Sequence, residues 1–402
     1  MKIQAVHYGK RGGALADTKA FGIESARRAR AFHAGFSEYS PTPLTALPGL
    51  AAHLGLGALY IKDESHRFGL NAFKVLGGSY AIGNILAQRL GQPLADLSFG
   101  QLASPAVRQK VGTLTFVTAT DGNHGRGVAW TARRLGHRAV VYMPKGSAAE
   151  RLENIRALGA EASITDMNYD DTACFARTQA EKHGWVTVQD TAWPGYEQIP
   201  TWIMQGYTTM ALETVEQLTR ADAPPPTHVF LQAGVGALAG GITGFFADLY
   251  GSEGRPIITI VEPDRAACIF KTAQAGDGGL HAVTGNLDTI MAGLACGVPC
   301  SVGWRVMQDH ADNFISCPDE VAAKGMRVLG SPLPGDPRVV SGESGAATLG
   351  LVAQVMQDPG LAWLREQLRL DGGSRVLCFS TEGDTDRENY RRIVWDGMYP
   401  SV

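Results

Sequence analysis

The chain has 402 residues, of which 45% are hydrophobic and 19% charged, and it contains 49 glycines. This length predicts two domains with a cleft between them, and the composition indicates a globular α/β enzyme. A net charge of −3 argues against binding to nucleic acid or to an anionic membrane, so small-molecule partners are expected. We find no apolar run long enough for a membrane span or a signal peptide, and we predict a cytoplasmic protein.

The cysteines are too few for a disulfide scaffold, and no CxxC pair has the spacing of a zinc site. We therefore expect reduced, mostly buried thiols and no bound metal. The six residues are Cys174, Cys268, Cys296, Cys300, Cys317 and Cys378.

Short β-rich runs alternate with helical patterns from about residue 56 onward, which predicts parallel sheets with crossover helices. In chain order the runs are ALYIK (58–62), TLTFVTAT (113–120), RAVVYMP (138–144), ASITD (162–166), WVTVQD (185–190), HVFLQAG (228–234), IITIVEP (257–263) and RVLCFS (375–380). The stretch 147–160 is predicted to be an ordinary scaffold helix closed by Gly159. In such sheets ligands bind beyond the carboxyl ends of the strands.

Lys74 follows the first of these strands and has no other charged residue within several positions on either side. An amine among apolar neighbours is expected to have a lowered pKa and to be ready for Schiff-base formation. Lys62 lies beside Asp63 and Glu64, and we expect it to be a solvated cation. A lysine with apolar neighbours is also common at protein surfaces, so Lys74 by itself is a weak signal.

Two glycine-rich loops follow predicted strands. The first, residues 121–127, precedes a helix predicted to start near Val128, and its alternate glycines expose backbone N–H groups that favour an anion. The second, residues 233–241, resembles the dinucleotide motif GxGxxG, and Glu262 stands at the spacing of its acidic partner. A nicotinamide-dependent oxidoreductase therefore stays open. The second loop contains no lysine, so it is equally compatible with binding the phosphate of a cofactor that is attached covalently to Lys74.

The residues resemble those of the fold-type II pyridoxal-phosphate enzymes, which include threonine dehydratases and serine racemases. The resemblance implies that Lys74 carries pyridoxal 5'-phosphate and that Asn123 binds its phenolic oxygen. It places either Ser380 or Thr381 opposite the ring nitrogen. The loop implied to hold the phosphate consists of Gly234, Val235, Gly236, Ala237 and Leu238.

A closer resemblance, to the diaminopropionate ammonia-lyase family, rests on segments spread over residues 71–386. These are NAFK (71–74), ATDGNHGRG (119–127), MQGY (204–207), MAGLACG (291–297) and TEGDTD (381–386). It implies two domains, each an open and mostly parallel sheet flanked by helices, with the active site in the cleft. The large cofactor domain would comprise 1–88 and 207–402, and the small domain, with the asparagine loop, 89–206. A homodimer is also implied.

The same resemblance implies elimination of the β-amine from D- and L-2,3-diaminopropionate through an external aldimine and an aminoacrylate, giving pyruvate and ammonia. Asp121 is proposed as the base for the D isomer, and Lys74 or Asp190 for the L isomer. Two carboxylates suit a substrate with a second ammonium group. The predicted substrate-binding residues are Thr120, Asp121, Gly122, Asn123 and His124.

Several alternatives stay open at this stage. Asp121 could cap the following helix, and Asp190 could stabilise its loop. His124 is expected to pack or hydrogen-bond locally rather than to act as an acid or base. Pairing of Cys268 with Cys296 is also left open. A serine or threonine dehydratase, or an amino-acid racemase of the same fold, is the alternative function.

Overall fold

The structure, a computed structural model, describes residues 2–9 and 15–400 and has an α/β architecture built on two sheets. The strands within this part of the chain are β1 Gln4–His7, β2 Leu44–Ala46, β3 Ala58–Asp63, β4 Thr115–Ala119, β5 Arg138–Met143, β6 Glu161–Ile164, β7 Val186–Thr187, β8 His228–Gln232, β9 Ile257–Pro263, β10 Asn313–Cys317 and β11 Arg375–Ser380.

The α-helices flank both sheets, as expected when parallel strands are joined by crossovers. In the described residues they are α1 Ile23–His33, α2 Pro48–Leu54, α3 Val75–Leu90, α4 Phe99–Leu102, α5 Pro105–Val111, α6 Asn123–Arg134, α7 Ala149–Arg156, α8 Tyr169–His183, α9 Gln198–Arg220, α10 Ala237–Gly254, α11 Cys268–Ala275, α12 Ser301–His310, α13 Asp319–Gly330, α14 Glu343–Gln357, α15 Ala362–Leu368 and α16 Arg387–Val394. None of them is both long and apolar enough to cross a membrane.

The larger sheet has seven strands in the order β1-β10-β9-β8-β11-β3-β2. Its five central strands are parallel, whereas β1 and β2 are antiparallel and lie at the two edges. Strands β1, β2 and β10 were not predicted from the sequence. The two edge strands have only four and three residues, too few to show an alternating pattern, and β10 is recognisable only by its pairing with β9.

The smaller sheet has four parallel strands in the order β6-β5-β4-β7. All four lie within 89–206, and all strands of the larger sheet lie outside that range. The predicted fold class is thus confirmed, while the domain boundaries themselves stay a prediction. The run WVTVQD forms only a two-residue strand, because beyond Thr187 the chain turns into the loop that carries Asp190.

Helix α6 begins at Asn123, five residues before the predicted start near Val128. The glycines of this segment suggested a loop, but Gly125 and Gly127 are needed inside the helix for close packing. A β-carbon at Gly125 would lie 2.4 Å from Thr120 Cγ2, and one at Gly127 would lie 2.7 Å from Val75 Cα. The glycines therefore bring α6 against β4 and α3.

Lys62 is fully buried, so the expectation that it is solvated is wrong. Its Nζ lies 2.7 Å from Glu213 Oε2 and donates to the carbonyl oxygen of Thr42. Arg67 also contacts Glu213, at 2.7 Å, and pairs with the buried Glu64. Glu213 is remote in sequence, so no local pattern around Lys62 could reveal this partner. Burial alone would raise the pKa of Glu213, but Arg67 and Lys62 hold it below its usual value.

We expect Glu213→Gln to lower the free energy of unfolding by about 3 kcal/mol or more, because two buried cations lose their counter-charge. Urea denaturation of the cofactor-free protein measures this. Glu216→Gln on the same helix is the control, since Glu216 is partly exposed and pairs with Arg30, and it should cost less than about 1 kcal/mol. Equal losses in the two variants would contradict the assignment of a stabilising network to Glu213.

Candidate active site

The segments that follow β3, β4, β7, β8 and β11 line a cavity between the two sheets. Of the residues predicted for the site, those that line it are Lys74, Asn123, Asp190, Gly234, Val235, Gly236, Ala237, Leu238 and Thr381. The lining is completed by Phe73, Tyr207, Gln232, Ala233, Gly293, Leu294, Cys296, Ser344 and Glu382. The structure thus brings most of the predicted residues together.

Lys74 lies just before α3 and forms an ion pair across the cleft, with its side chain 17% exposed. Its Nζ is 2.5 Å from Asp190 Oδ2, and the Asp190 side chain is only 2% exposed. The backbone N–H of Phe73 donates to the carbonyl oxygen of Thr381, which fixes the Lys74 segment against the end of β11. Tyr169 donates to the other oxygen of Asp190 at 3.3 Å. Asp190 is therefore held from two sides.

The charge state of Lys74 differs from the sequence-based expectation. Burial alone would lower the pKa of Lys74, but the Asp190 carboxylate outweighs it and raises this pKa above its usual value. Burial would likewise raise the pKa of Asp190, yet Lys74 lowers it to about 2. The prediction of a lowered lysine pKa is wrong here because Asp190, 116 residues further along the chain, supplies the counter-charge.

The second glycine-rich loop forms a cradle at the start of α10. Gly236 has φ +93°, and the helix begins at the next residue, so the first N–H groups of α10 face the cavity without intrahelical partners. A β-carbon at Gly236 would lie 2.8 Å from Met307 Cε, and one at Gly234 would lie 3.2 Å from Cys296 Sγ. The loop can therefore pack this closely against Met307 and Cys296 only because both residues are glycines.

Ser380 and Thr381, the two candidates for the ring nitrogen, differ in orientation. Thr381 lines the cavity, and its hydroxyl accepts a hydrogen bond from Gln232 Nε2 at 2.8 Å. Ser380 donates to Ser341 and is not part of the cavity lining. The geometry favours Thr381 over Ser380 for this role.

Asp121 stands beside the cavity rather than in its lining. Its Oδ2 accepts from Arg151 Nη1 at 3.0 Å, and Thr120 contacts Oδ1 at 3.5 Å. Helix α6 has Gly122 as its N-cap and no side-chain capping bond, so Asp121 does not cap it. A β-carbon on Gly293, which lines the cavity, would lie 3.7 Å from Asp121 Oδ2. The carboxylate is thus next to the cavity wall.

The other predicted substrate-binding residues support the loop. The hydroxyl of Thr120 accepts from the backbone N–H of Gly122 at 2.9 Å. His124 is buried with Nε2 2.8 Å from the carbonyl oxygen of Val188, and burial lowers its pKa. This local hydrogen bond agrees with the expected packing role of His124. A substrate-binding role for these residues stays a prediction.

Asn123 donates from Nδ2 to Glu382 Oε2 at 2.5 Å, which joins the smaller sheet to the loop after β11. Glu382 also accepts from the backbone N–H of Ser344. Glu382 and Tyr207 fall in motifs noted in the sequence, but neither was singled out there. Arg151 lies in the helix predicted to be ordinary scaffold, and nothing in the local pattern distinguishes it from a surface arginine.

The remaining expectations concern Glu262 and the cysteines. Glu262 is fully buried and accepts from the backbone N–H groups of Ile269 and Phe270, so it is not available to a ribose. The dinucleotide-binding interpretation therefore lacks the acidic residue that would contact the ribose. Cys268 and Cys296 are both free and buried, so the structure does not pair them. Five of the six cysteines are buried, as expected, and Cys174 is exposed.

Comparisons with known proteins agree with this geometry. The family model described as pyridoxal-phosphate dependent enzyme matches residues 36–382. Diaminopropionate ammonia-lyase of Escherichia coli strain K12 is 52% identical over 393 residues, covering 96% of this chain and 97% of the relative. The crystal structure of the holo E. coli enzyme superposes with a TM-score of 0.92 at 50% identity, covering 99% of this chain and 98% of that one.

The chain belongs to the pyridoxal-phosphate-dependent enzymes, in the diaminopropionate ammonia-lyase family. A further structure of the E. coli enzyme, in complex with an aminoacrylate-PLP azomethine reaction intermediate, has a TM-score of 0.90 at 49% identity and covers 99% of this chain and 98% of that one. The fold-type II expectation and pyridoxal phosphate as the cofactor are thereby confirmed.

The residues of the cavity fit pyridoxal phosphate on their own chemistry. Gln232 Oε1 and the hydroxyl of Tyr207 are buried in the lining without hydrogen-bond partners among the described residues, which indicates a polar ligand. The loop 234–238 offers backbone N–H groups to a phosphate, and Lys74 offers an amine to an aldehyde. One end of the cavity thus suits an anion and the other suits covalent attachment.

Gly236→Ala is expected to weaken binding of pyridoxal phosphate by about tenfold or more. The alanine would have to adopt the left-handed conformation, which costs about 1–2 kcal/mol, and its methyl group would displace Met307. Absorbance titration of the cofactor-free protein measures the affinity. Gly254→Ala, at the far end of α10, is the control, because its β-carbon would meet Tyr250 at an ordinary 3.7 Å. Unchanged affinity in Gly236→Ala would exclude the cradle as the phosphate site.

Proposed function

We propose that this enzyme eliminates the β-amine of 2,3-diaminopropionate, in both its D and L forms, to give pyruvate and ammonia. The observation that carries the proposal is the position of two carboxylates: Asp190 pairs with Lys74 in the cavity lining, and Asp121 lies next to the cavity wall at Gly293. The similarity to diaminopropionate ammonia-lyases over almost the whole chain supports the same substrate. We also propose that the enzyme works in the cytoplasm as a homodimer, as the family resemblance implies.

Lys74 and Asp190 form the covalent attachment point and its counter-charge. The 2.5 Å contact between Nζ and Oδ2 keeps Lys74 protonated, so the ammonium must lose a proton before the amine attaches the cofactor. Tyr169 keeps Asp190 oriented through its hydrogen bond to the other carboxylate oxygen. When bound, pyridoxal phosphate withdraws electrons from the α-carbon of an attached amino acid and weakens its C–H bond.

We propose that Asp121 accepts the α-proton of the D isomer and that Lys74 or Asp190 accepts that of the L isomer. Loss of this proton accompanies breakage of the bond between the β-carbon and its nitrogen, so ammonia leaves. Water then hydrolyses the remaining unsaturated amino acid to pyruvate and a second ammonia. The carboxylates of Asp121 and Asp190 also favour a substrate with two ammonium groups.

We propose that Asn123 and Thr381 hold the ring, and that the loop 234–238 holds the phosphate. Both side chains line the cavity, at the ends of strands from different sheets. A ring nitrogen beside a hydroxyl such as that of Thr381 would be less fully protonated than one beside a carboxylate, which suits elimination. Glu382 orients the Asn123 amide through its 2.5 Å hydrogen bond.

Purified enzyme should form pyruvate from D- and L-diaminopropionate far faster than it forms pyruvate from serine or 2-oxobutyrate from threonine. Coupled reduction of the oxo acids measures all four substrates. Lys74→Ala is expected to abolish turnover and the visible absorption band of the lysine-bound cofactor. No turnover of either diaminopropionate isomer would exclude the proposal, and preferential turnover of serine or threonine would favour a dehydratase.

Asp121→Asn is expected to reduce kcat/KM for D-diaminopropionate by about 100-fold or more, equivalent to about 3 kcal/mol, while the L isomer is much less affected. The reason is that the amide cannot accept the α-proton. Pyruvate formation from each separate enantiomer is the measurement. Asp166→Asn, on an exposed residue of the smaller domain, is the control and should leave both rates unchanged. Equal small losses on both isomers would exclude Asp121 as a base.

A further inference from the structure

Arg151 is a buried cation between the two sheets. Its side chain, on α7, is only 7% exposed. Nη1 donates to Asp121 Oδ2 at 3.0 Å, and Nη2 donates to the hydroxyl of Thr385 at 3.2 Å. Asp121 follows β4 of the smaller sheet, and Thr385 lies in the loop after β11 of the larger sheet. One guanidinium group therefore connects the two sides of the cleft.

The aliphatic part of Arg151 also determines the shape of the loop that carries Asp121. Gly122 has φ +152°, and a β-carbon there would lie 3.0 Å from Arg151 Cδ and 3.2 Å from its Cβ. The arginine stem thus occupies the space that any other residue at position 122 would need. Gly122 and the aliphatic part of Arg151 therefore pack directly against each other.

The hydrogen bonds of Arg151 continue to the residue proposed to hold the cofactor ring. The hydroxyl of Thr385 donates to Glu382 Oε2, which also accepts from Asn123 Nδ2. A network therefore runs from Asp121 through Arg151, Thr385 and Glu382 to Asn123. It holds the loop on both sides of Gly122.

Arg151 stays charged although it is buried. Burial would lower the pKa of Arg151, but nearby carboxylates, chiefly Glu382 and Asp121, raise it, so the guanidinium stays charged. A buried cation is stable only where partners compensate for lost hydration. The planar guanidinium reaches two acceptors at a fixed angle, which a lysine ammonium does not do.

The two oxygens of Asp121 have different environments. Oδ2 takes the short bond from Arg151, whereas Oδ1 has only the 3.5 Å contact with Thr120. Oδ2 is also the oxygen nearer to the cavity wall, 3.7 Å from where a β-carbon on Gly293 would lie. The ion pair with Arg151 therefore fixes the orientation of the carboxylate at that wall.

We propose that Arg151 is a positioning residue for Asp121, and that it thereby sets the ratio of activities towards the D and L isomers. The inference rests on the proposed function, because it requires Asp121 to be the base for the D isomer. Arg151 holds Oδ2 and thereby orients the carboxylate that takes the α-proton. Arg151 does not line the cavity, so it acts through Asp121.

The test uses the holoenzyme with Arg151→Met, which keeps the length of the stem and removes the charge. We expect kcat for D-diaminopropionate to fall by about 100-fold, as misplacement of a catalytic group does, with KM little changed. The rate with the L isomer should stay within about threefold. Arg151→Lys should recover part of the D activity. Arg156→Met on the same helix is the control, because Arg156 is exposed and pairs with Glu153.

A double-mutant cycle with Asp121→Asn separates positioning from general structural support. If Arg151 acts through Asp121, Arg151→Met adds no further loss of D activity in the Asp121→Asn background. Full additivity would overturn the proposal. A second readout is the affinity of the cofactor-free variant for pyridoxal phosphate, which should stay near that of the wild type. Weaker cofactor binding together with equal losses on both isomers would instead assign Arg151 a structural role and contradict the proposal.

These measurements distinguish an error in the positioning role of Arg151 from an error in the proposed function. If the wild-type enzyme does not consume diaminopropionate, the proposed function is wrong whatever Arg151 does. If the wild type consumes both isomers and Arg151→Met leaves their ratio unchanged, only the positioning role is wrong. Thermal unfolding of Arg151→Met and Arg151→Lys shows whether each variant is folded. The D/L ratio of Arg151→Lys decides the question if the methionine variant does not fold.

Discussion

The ion pair between Lys74 and Asp190 constrains the whole cleft, because neither charge is stable there without the other. Removing a buried carboxylate or ammonium from water is costly, and a partner at 2.5 Å offsets that cost only while the geometry is kept. Lys74 is fixed to the end of the larger sheet and Asp190 to the end of the smaller one. The two sheets must therefore meet with the carboxyl ends of their strands at the same cavity.

The opposite end of the cavity is built from backbone rather than from side-chain charge. The loop 234–238 turns through a left-handed glycine into α10, and the first N–H groups of that helix face the cavity. An anion is stabilised there without a nearby lysine. With the phosphate held by this loop, as we propose, the charge of Lys74 is not needed to bind it.

The side-chain contacts that cross between the two halves near the cavity include Lys74 with Asp190, Asn123 with Glu382, and Arg151 with Thr385. Each joins a residue that follows a strand of the smaller sheet to a residue that follows a strand of the larger one. Any movement of one sheet against the other would strain all three contacts together. These contacts couple the positions of Lys74, Asn123 and Asp121, in addition to the hydrophobic packing shared by the two sheets.

The sequence by itself determined the α/β class, most of the parallel strands, the two glycine-rich loops and Lys74, because these depend on local composition and spacing. Its resemblance to known enzymes added the cofactor, which the comparisons confirm. Only the tertiary structure decided that Lys62 is buried, that the pKa of Lys74 is raised, and that Arg151 contacts Asp121 and Thr385. Lys62 and Lys74 have partners more than 100 residues away, and the two bonds of Arg151 reach different sheets, so no local pattern along the chain records such neighbours.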